Sequence, residues 1–118
     1  MIDISTVADG TVALITMDDG KANALSKARI AEIRSAIDDA VRDEAIGAAI
    51  IAGRVGRFSG GFDLGVMSSG DFAAAVDLVS DGGDLVRHFY RCDIPIVAAC
   101  TGPALAAGAL MLLALIHI

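Results

Sequence analysis

Aromatic side chains are scarce in this sequence: 118 residues contain no tryptophan, one tyrosine and four phenylalanines. Recognition of nucleic acid by base stacking has little material to work with. Positive charge is also short. Nine Lys and Arg stand against fifteen Asp and Glu, a net charge of −6, and no basic cluster interrupts the chain, so nucleic acid is not an expected partner. The two cysteines, Cys92 and Cys100, make no disulfide framework; they lie in or beside apolar sequence and read as small core residues of a cytoplasmic protein. No His, Cys or carboxylate pattern has ligand spacing, so no metal is expected. No basic segment followed by an apolar run opens the chain, so no signal peptide is read. No histidine accompanies a serine or cysteine in the manner of an activated nucleophile. His88 falls in a helical stretch beside Arg87 and Arg91 and reads as a surface residue, and His117 lies next to the chain end. Glu32 and Glu44 read as solvated.

Charge is missing altogether from Ile94 to Ile118. That length could span a bilayer, and a membrane-anchored α/β domain is one alternative it supports. Pro95, Gly102-Pro103 and many small residues punctuate the run, which favours a buried strand, a turn and a buried helix, with no membrane partner.

What is present is a chain 55% hydrophobic and 20% charged, long enough for one small folded domain and too apolar to be disordered. Val7 to Met17 alternates around Asp9-Gly10 and predicts two strands joined by a tight turn. Asp18-Asp19-Gly20 ends the hairpin, and Lys21 to Leu25 is a connecting loop. Ser26 is a good N-cap, and Ile30, Ile33, Ile37 and Val41 then recur at helical spacing, for an amphipathic helix of about five turns. A buried strand is expected over Ala48–Ala52 and a short helical turn over Asp63–Met67. Asp71 is placed to cap a long helix with Phe72, Val76, Val79, Val86 and Tyr90 along its packed face, although Gly82-Gly83 weakens it by about 2 kcal/mol. Pro95 starts a strand over Ile96–Cys100. An apolar helix over Ala104–Ile118 closes the chain and, being apolar all round, calls for burial all round. Strands alternating with helices give an α/β fold with parallel pairing in its later part.

Two small-residue turns each follow a β-branched run: Gly56-Arg57-Phe58-Ser59-Gly60-Gly61-Phe62-Asp63-Leu64 and Gly102-Pro103-Ala104-Leu105-Ala106-Ala107-Gly108-Ala109-Leu110. The spacing of Gly53, Gly56, Gly60 and Gly61 fails the dinucleotide fingerprint, and no Lys-Ser or Lys-Thr follows for a phosphate loop. A bare turn entering a helix points free N–H groups at what sits above it. Two such turns facing one another could grip one oxygen from two sides, as an oxyanion hole does. For Asp63 the simpler reading is a helix cap. For Ala106-Ala107-Gly108 the choice lies between tight helix packing and an N–H donor at Ala107.

With these residues in view, the chain resembles the N-terminal part of the crotonase superfamily, the enoyl-CoA hydratase/isomerase family. Lys21-Ala22-Asn23-Ala24-Leu25-Ser26, the first turn, and Ile94 to Gly108 match family segments in order and at about the family spacing. The resemblance implies a crotonase-like (ClpP/crotonase) α/β fold, with residues 1–118 as an incomplete acyl-CoA-binding domain: the N-terminal part of a ββα-repeat spiral core. It implies an acyl-CoA enzyme of fatty acid metabolism in which the N–H groups of Phe62 and Ala107 polarise a thioester carbonyl and stabilise the enolate formed from it. CoA is then part of the substrate, with no bound cofactor. Its pantetheine and adenine parts run past Lys21, Ala22 and Ala24 and past Gly60, Gly61, Asp63 and Leu64, with Lys21 suited to a phosphate.

Leu110 departs from the family: it stands where hydratases carry a glutamate, and leucine cannot move a proton. Isomerisation, thioester hydrolysis or other enolate chemistry stays open, as does a non-catalytic CoA-binding or assembly protein. Typical members are much longer. The chain is therefore expected to be a fragment with a non-native end at 115–118, inactive and marginal by itself, its parent a homotrimer or hexamer.

Overall fold

Ala8, Asp9 and Gly10 all adopt positive φ, at 52°, 57° and 80°. This tight reversal joins β1 (Ile2–Val7) to β2 (Val12–Met17), which pair antiparallel with Val7 opposite Val12 and Ile2 opposite Met17. The computed structural model describes residues 2–117. The expected hairpin forms, with its first strand starting at Ile2, ahead of the alternating stretch.

Ser26 caps α1 (Lys27–Arg42), its hydroxyl accepting the Arg29 N–H at 3.1 Å. The buried stripe is Ile30, Ile33, Ala36, Ile37 and Ala40. Val41, expected on that stripe, is exposed, because Ala40 takes the core-facing place after Ile37. The chain then forms β3 (Ala48–Ala52), parallel to β2 with Leu14 beside Ile50. Asp63 caps the single turn α2 (Leu64–Met67), its carboxylate accepting the Gly65 N–H at 2.8 Å.

The long helix α3 (Phe72–Tyr90) starts on Asp71, whose carboxylate accepts the Ala74 N–H. Its packed face differs from the expected one. Leu78, Gly82, Leu85 and Phe89 are buried, whereas Phe72, Val76, Val79 and Tyr90 are exposed and Val86 is half-buried. Both stripes have helical period. The one centred on Gly82 wins because only a glycine can receive the Phe62 ring: a Cβ there would stand 2.5 Å from two ring carbons. The glycine pair that weakens the helix in isolation is what lets it dock.

β4 (Ile96–Ala99) lies parallel to β3, one residue shorter than expected. The final helix is a further correction. It spans Ala107–Leu113 as α4, and β5 (Ile116–His117) follows, parallel to β4 with Ile116 beside Val97. Ala104 is held extended by a bridge to Ser59, which delays the helix start, and the free edge of β4 draws Ile116 out of the helical path. Burial is one-sided: Ala107, Gly108 and Met111 are buried, while Leu110 and Leu113 are exposed. The uncharged stretch from Ile94 is thus divided among a strand, a short helix and a second strand, and among the described residues no helix is long and apolar enough to cross a membrane.

The sheet order is β1-β2-β3-β4-β5. Ala13, Ile15, Met17, Ala49, Ile51, Ile96 and Ala98 form its buried face, joined in one core by the apolar stripes of α1 and α3. The alternate positions Leu14, Ile50 and Val97 line up across the register on the other, half-buried face. Strand ends and helix starts of the β3 and β4 crossovers meet at one edge, where the two turns lie.

Candidate active site

The two turns pack backbone against backbone. Pro103 O accepts the Phe58 and Ser59 N–H groups at 3.0 and 3.3 Å, and Ser59 O accepts the Leu105 N–H at 2.9 Å. Glycine makes the approach possible. A Cβ on Gly102 would overlap the Gly56 backbone, and one on Gly108 would stand 2.6 Å from Ser59 O. One on Gly61, at φ +96°, would lie 3.0 Å from Leu105 O and 3.3 Å from the Ala107 nitrogen.

Several N–H groups of these turns have no acceptor among the described residues, and two of them, those of Phe62 and Ala107, belong to residues that line one cavity. Each is aimed by its own peptide plane. A trans peptide points its N–H opposite to its carbonyl. Gly61 O accepts the Leu25 N–H at 2.8 Å, so the Phe62 N–H faces away from Leu25. Ala106 O accepts the Leu110 N–H at 3.1 Å, so the Ala107 N–H faces out of the start of α4. Ala106 holds φ 49° and ψ −120° there, with no side-chain cap. A non-glycine residue in such a conformation is strained.

Beside these groups is a cavity of about 290 Å³. Leu25, Phe62, Ala107, Leu110, Met111 and Leu113 line it, and Val79, Gly82, Gly83, Leu85 and Val86 complete the wall. None of these side chains titrates. The lining is apolar, and the residues that carry the two N–H groups, Phe62 and Ala107, form part of it.

The loop before α1 braces the first turn. Gly60 N–H donates to Ala22 O at 2.8 Å, and Leu25 O accepts the Asp63 N–H at 3.0 Å. Asn23, at φ 51°, is buried. Its Nδ2 donates to Met17 O and Phe58 O at 2.8 and 3.1 Å, and its Oδ1 accepts the Asp19 N–H. The Ser59 hydroxyl, also buried, donates to Asn23 O at 2.9 Å and accepts the Gly61 N–H at 3.2 Å. The Asp19 carboxylate accepts N–H groups of Lys21, Asn23 and Ala24 at 2.7, 3.0 and 3.3 Å. Desolvation pushes the Asp19 pKa up, but those N–H bonds and the Arg29 charge together outweigh it and hold the carboxyl below its ordinary value.

Phe62, Ala107 and Leu110 therefore meet at one cavity, with Gly60 and Gly61 in the turn beside it. Ala22 and Ala24 are half-buried in the bracing loop, while Lys21 and Leu64 point to solvent outside the cavity lining. Asp63 serves as the cap of α2. Sequence reasoning missed Asn23 and Ser59 as braces and Arg54, whose guanidinium donates to Lys21 O at 3.2 Å. A polar residue between small apolar ones, as in Ala22-Asn23-Ala24, was the available signal for Asn23. His88 is not a free surface residue: its Nε2 lies 2.8 Å from Asp38 Oδ1. Among the described residues no three metal-ligating side chains come together.

The family model for enoyl-CoA hydratase/isomerase matches residues 8–116. A relative from Thermus thermophilus, named for enoyl-CoA hydratase, is 33% identical over 112 residues, which are 92% of this chain and 44% of that protein. The structure of an enoyl-CoA hydratase/isomerase family protein from Pseudomonas syringae superposes with a TM-score of 0.88 at 37% identity, covering 97% of this chain and 47% of that one. That of a Mycobacterium tuberculosis enoyl-CoA isomerase gives 0.86 at 38% identity, over 96% and 47%. The chain thus spans about half the length of the relatives it matches, and its fold is the N-terminal part of the crotonase fold. With the match running from the hairpin turn to the last strand, the chain belongs to the enoyl-CoA hydratase/isomerase family.

Proposed function

We propose that this chain binds acyl-CoA thioesters and holds the thioester oxygen between the backbone N–H groups of Phe62 and Ala107, stabilising the enolate that forms when a proton leaves the neighbouring carbon. The observation that supports this is the pair of N–H groups without acceptors, on opposed turns, at the edge of an apolar cavity. Donors fixed before the reaction starts need no reorganisation as charge develops, and removing one such donor typically costs on the order of 100- to 1,000-fold in rate.

The acyl chain occupies the cavity. The CoA portion, brought in as part of the substrate, runs over Lys21, Ala22 and Ala24 and past Gly60, Gly61, Asp63 and Leu64, where the exposed Lys21 offers a point charge to phosphate. Leu110 lines the cavity where a hydratase glutamate is expected, so no proton moves at that position, and isomerisation or another enolate chemistry fits better than hydration. Calorimetric titration with octanoyl-CoA tests the proposal. Saturable binding is expected; a folded chain that takes up no acyl-CoA of any length overturns it.

A second reading, a CoA-binding protein without catalysis, draws on one observation: no titratable side chain lines the cavity. Assays of the full-length parent with short and long enoyl-CoAs decide. Turnover that disappears when acidic residues are neutralised favours the enzyme, and binding without turnover favours the carrier.

A further inference from the structure

We propose that Asn23 and Ser59 are positioning residues that aim the Phe62 N–H, a role that rests on the oxygen-holding function proposed above. They are the two polar side chains buried among the described residues, each 1% exposed, in a core that is otherwise apolar. A polar group costs free energy to bury unless it is bonded, and bonds from both side chains tie the loop before α1 to the first turn. Asn23 Nδ2 donates to Phe58 O, while the Ser59 hydroxyl donates to Asn23 O, so the loop and the first turn are tied in both directions. The same hydroxyl accepts the Gly61 N–H at 3.2 Å.

The consequence falls on the next peptide. Gly61 has φ +96° and no side chain to restrain it. Its N–H is fixed by Ser59 Oγ and its carbonyl by the Leu25 N–H at 2.8 Å. With both ends tied, the plane that carries the Phe62 N–H has one orientation. Asn23 sets the height of the loop that brings Leu25 to that carbonyl, through its second bond to Met17 O at the end of β2. Without the Ser59 hydroxyl, the Gly61 N–H loses its acceptor, the glycine swivels, and the Phe62 N–H no longer points steadily at the ligand oxygen.

The test compares octanoyl-CoA with S-octyl-CoA, a thioether of the same chain length that lacks the carbonyl oxygen. The wild-type chain is titrated with both, then Ser59→Ala with both, well below its melting temperature. The wild type is expected to prefer the thioester. In Ser59→Ala that preference falls about tenfold, the size of one hydrogen bond lost in a buried site, while S-octyl-CoA affinity stays the same. A merely structural role would lower the melting temperature and leave the preference intact, and that result overturns the proposal. A wild type with no preference overturns the oxygen-holding function beneath it, and the first titration distinguishes the two failures. Should Ser59→Ala not fold, Ser59→Cys keeps a weak donor and acceptor and is expected to lose part of the preference; an undiminished preference there likewise overturns the proposal.

Discussion

The edge of the Phe62 ring sits in a notch on α3 that exists because residue 82 is glycine: a Cβ there would stand 2.5 Å from Cε1 and Cζ of the ring. Gly83, the next residue, has nothing within 4 Å of the same hypothetical atom. Alanine is favoured over glycine in a helix by about 1 kcal/mol. Gly83→Ala is therefore expected to stabilise the chain by about that amount. Gly82→Ala is expected to lose that gain and more, because the ring must leave its site. Urea melts of the two variants check this, and equal stabilisation of both would show that the ring does not occupy the notch.

This pair also explains what the sequence could and could not disclose. α1, β3 and the caps Ser26, Asp63 and Asp71 were legible because their signals are local: a capping side chain, an apolar period and a closing glycine. The packed stripe of α3 was not legible, since Leu78-Leu85-Phe89 and Val79-Val86-Tyr90 have the same spacing and the choice between them is made by Phe62, some 20 residues away. The end of the chain failed for a similar reason. Nothing in an apolar run announces that Ile116 will pair with Val97. The opposed turns could be suspected from their small residues, but the braces that aim them, Asn23 and Ser59, depend on bonds spanning 35 and 36 positions.

Acid sensitivity is expected to run through Asp19. Its carboxyl titrates below its ordinary value in the folded chain because the Asn23, Lys21 and Ala24 N–H bonds and the Arg29 charge outweigh the effect of desolvation. A depressed folded pKa stabilises the fold above the unfolded value, about 3.9, and the benefit disappears as pH falls through the folded pKa. Asp19→Asn is thus expected to melt below the wild type at pH 7, with the gap closing below about pH 4. A gap that persists unchanged at low pH would count against the carboxylate as the organiser of the Lys21–Leu25 loop.

The wall at Leu110 gives a prediction with a built-in control. Leu110 is half-exposed, so Leu110→Glu is expected to fold with a stability change of about 1 kcal/mol or less. The new carboxyl borders an apolar cavity, which raises its pKa above the usual 4.3 or so. Octanoyl-CoA affinity in the variant should fall as pH rises through that value, because the ionised carboxylate disfavours an apolar chain beside it. The wild-type cavity has no titratable lining, and its affinity should show no such limb. Identical pH profiles for the two proteins would place the acyl chain elsewhere.

Gly61 is where conformation and crowding meet, and a second glycine separates them. Gly70 shares the positive φ, +81° against +96°, but a Cβ on it would meet nothing within 4 Å. Gly70→Ala should therefore cost only the left-handed backbone penalty, on the order of 1 kcal/mol. Gly61→Ala incurs that penalty and also drives a methyl to 3.0 Å from Leu105 O, 3.1 Å from Ala106 Cβ and 3.3 Å from the Ala107 nitrogen. The turns must then separate, so the expected loss of stability is about 1–3 kcal/mol beyond that of Gly70→Ala. Octanoyl-CoA binding should vanish in Gly61→Ala even where the chain remains folded, since the methyl stands beside the Ala107 N–H, and it should survive in Gly70→Ala. Equal melting temperatures and equal affinities for the two variants would mean that the turns do not approach as closely as the proposed oxygen site requires.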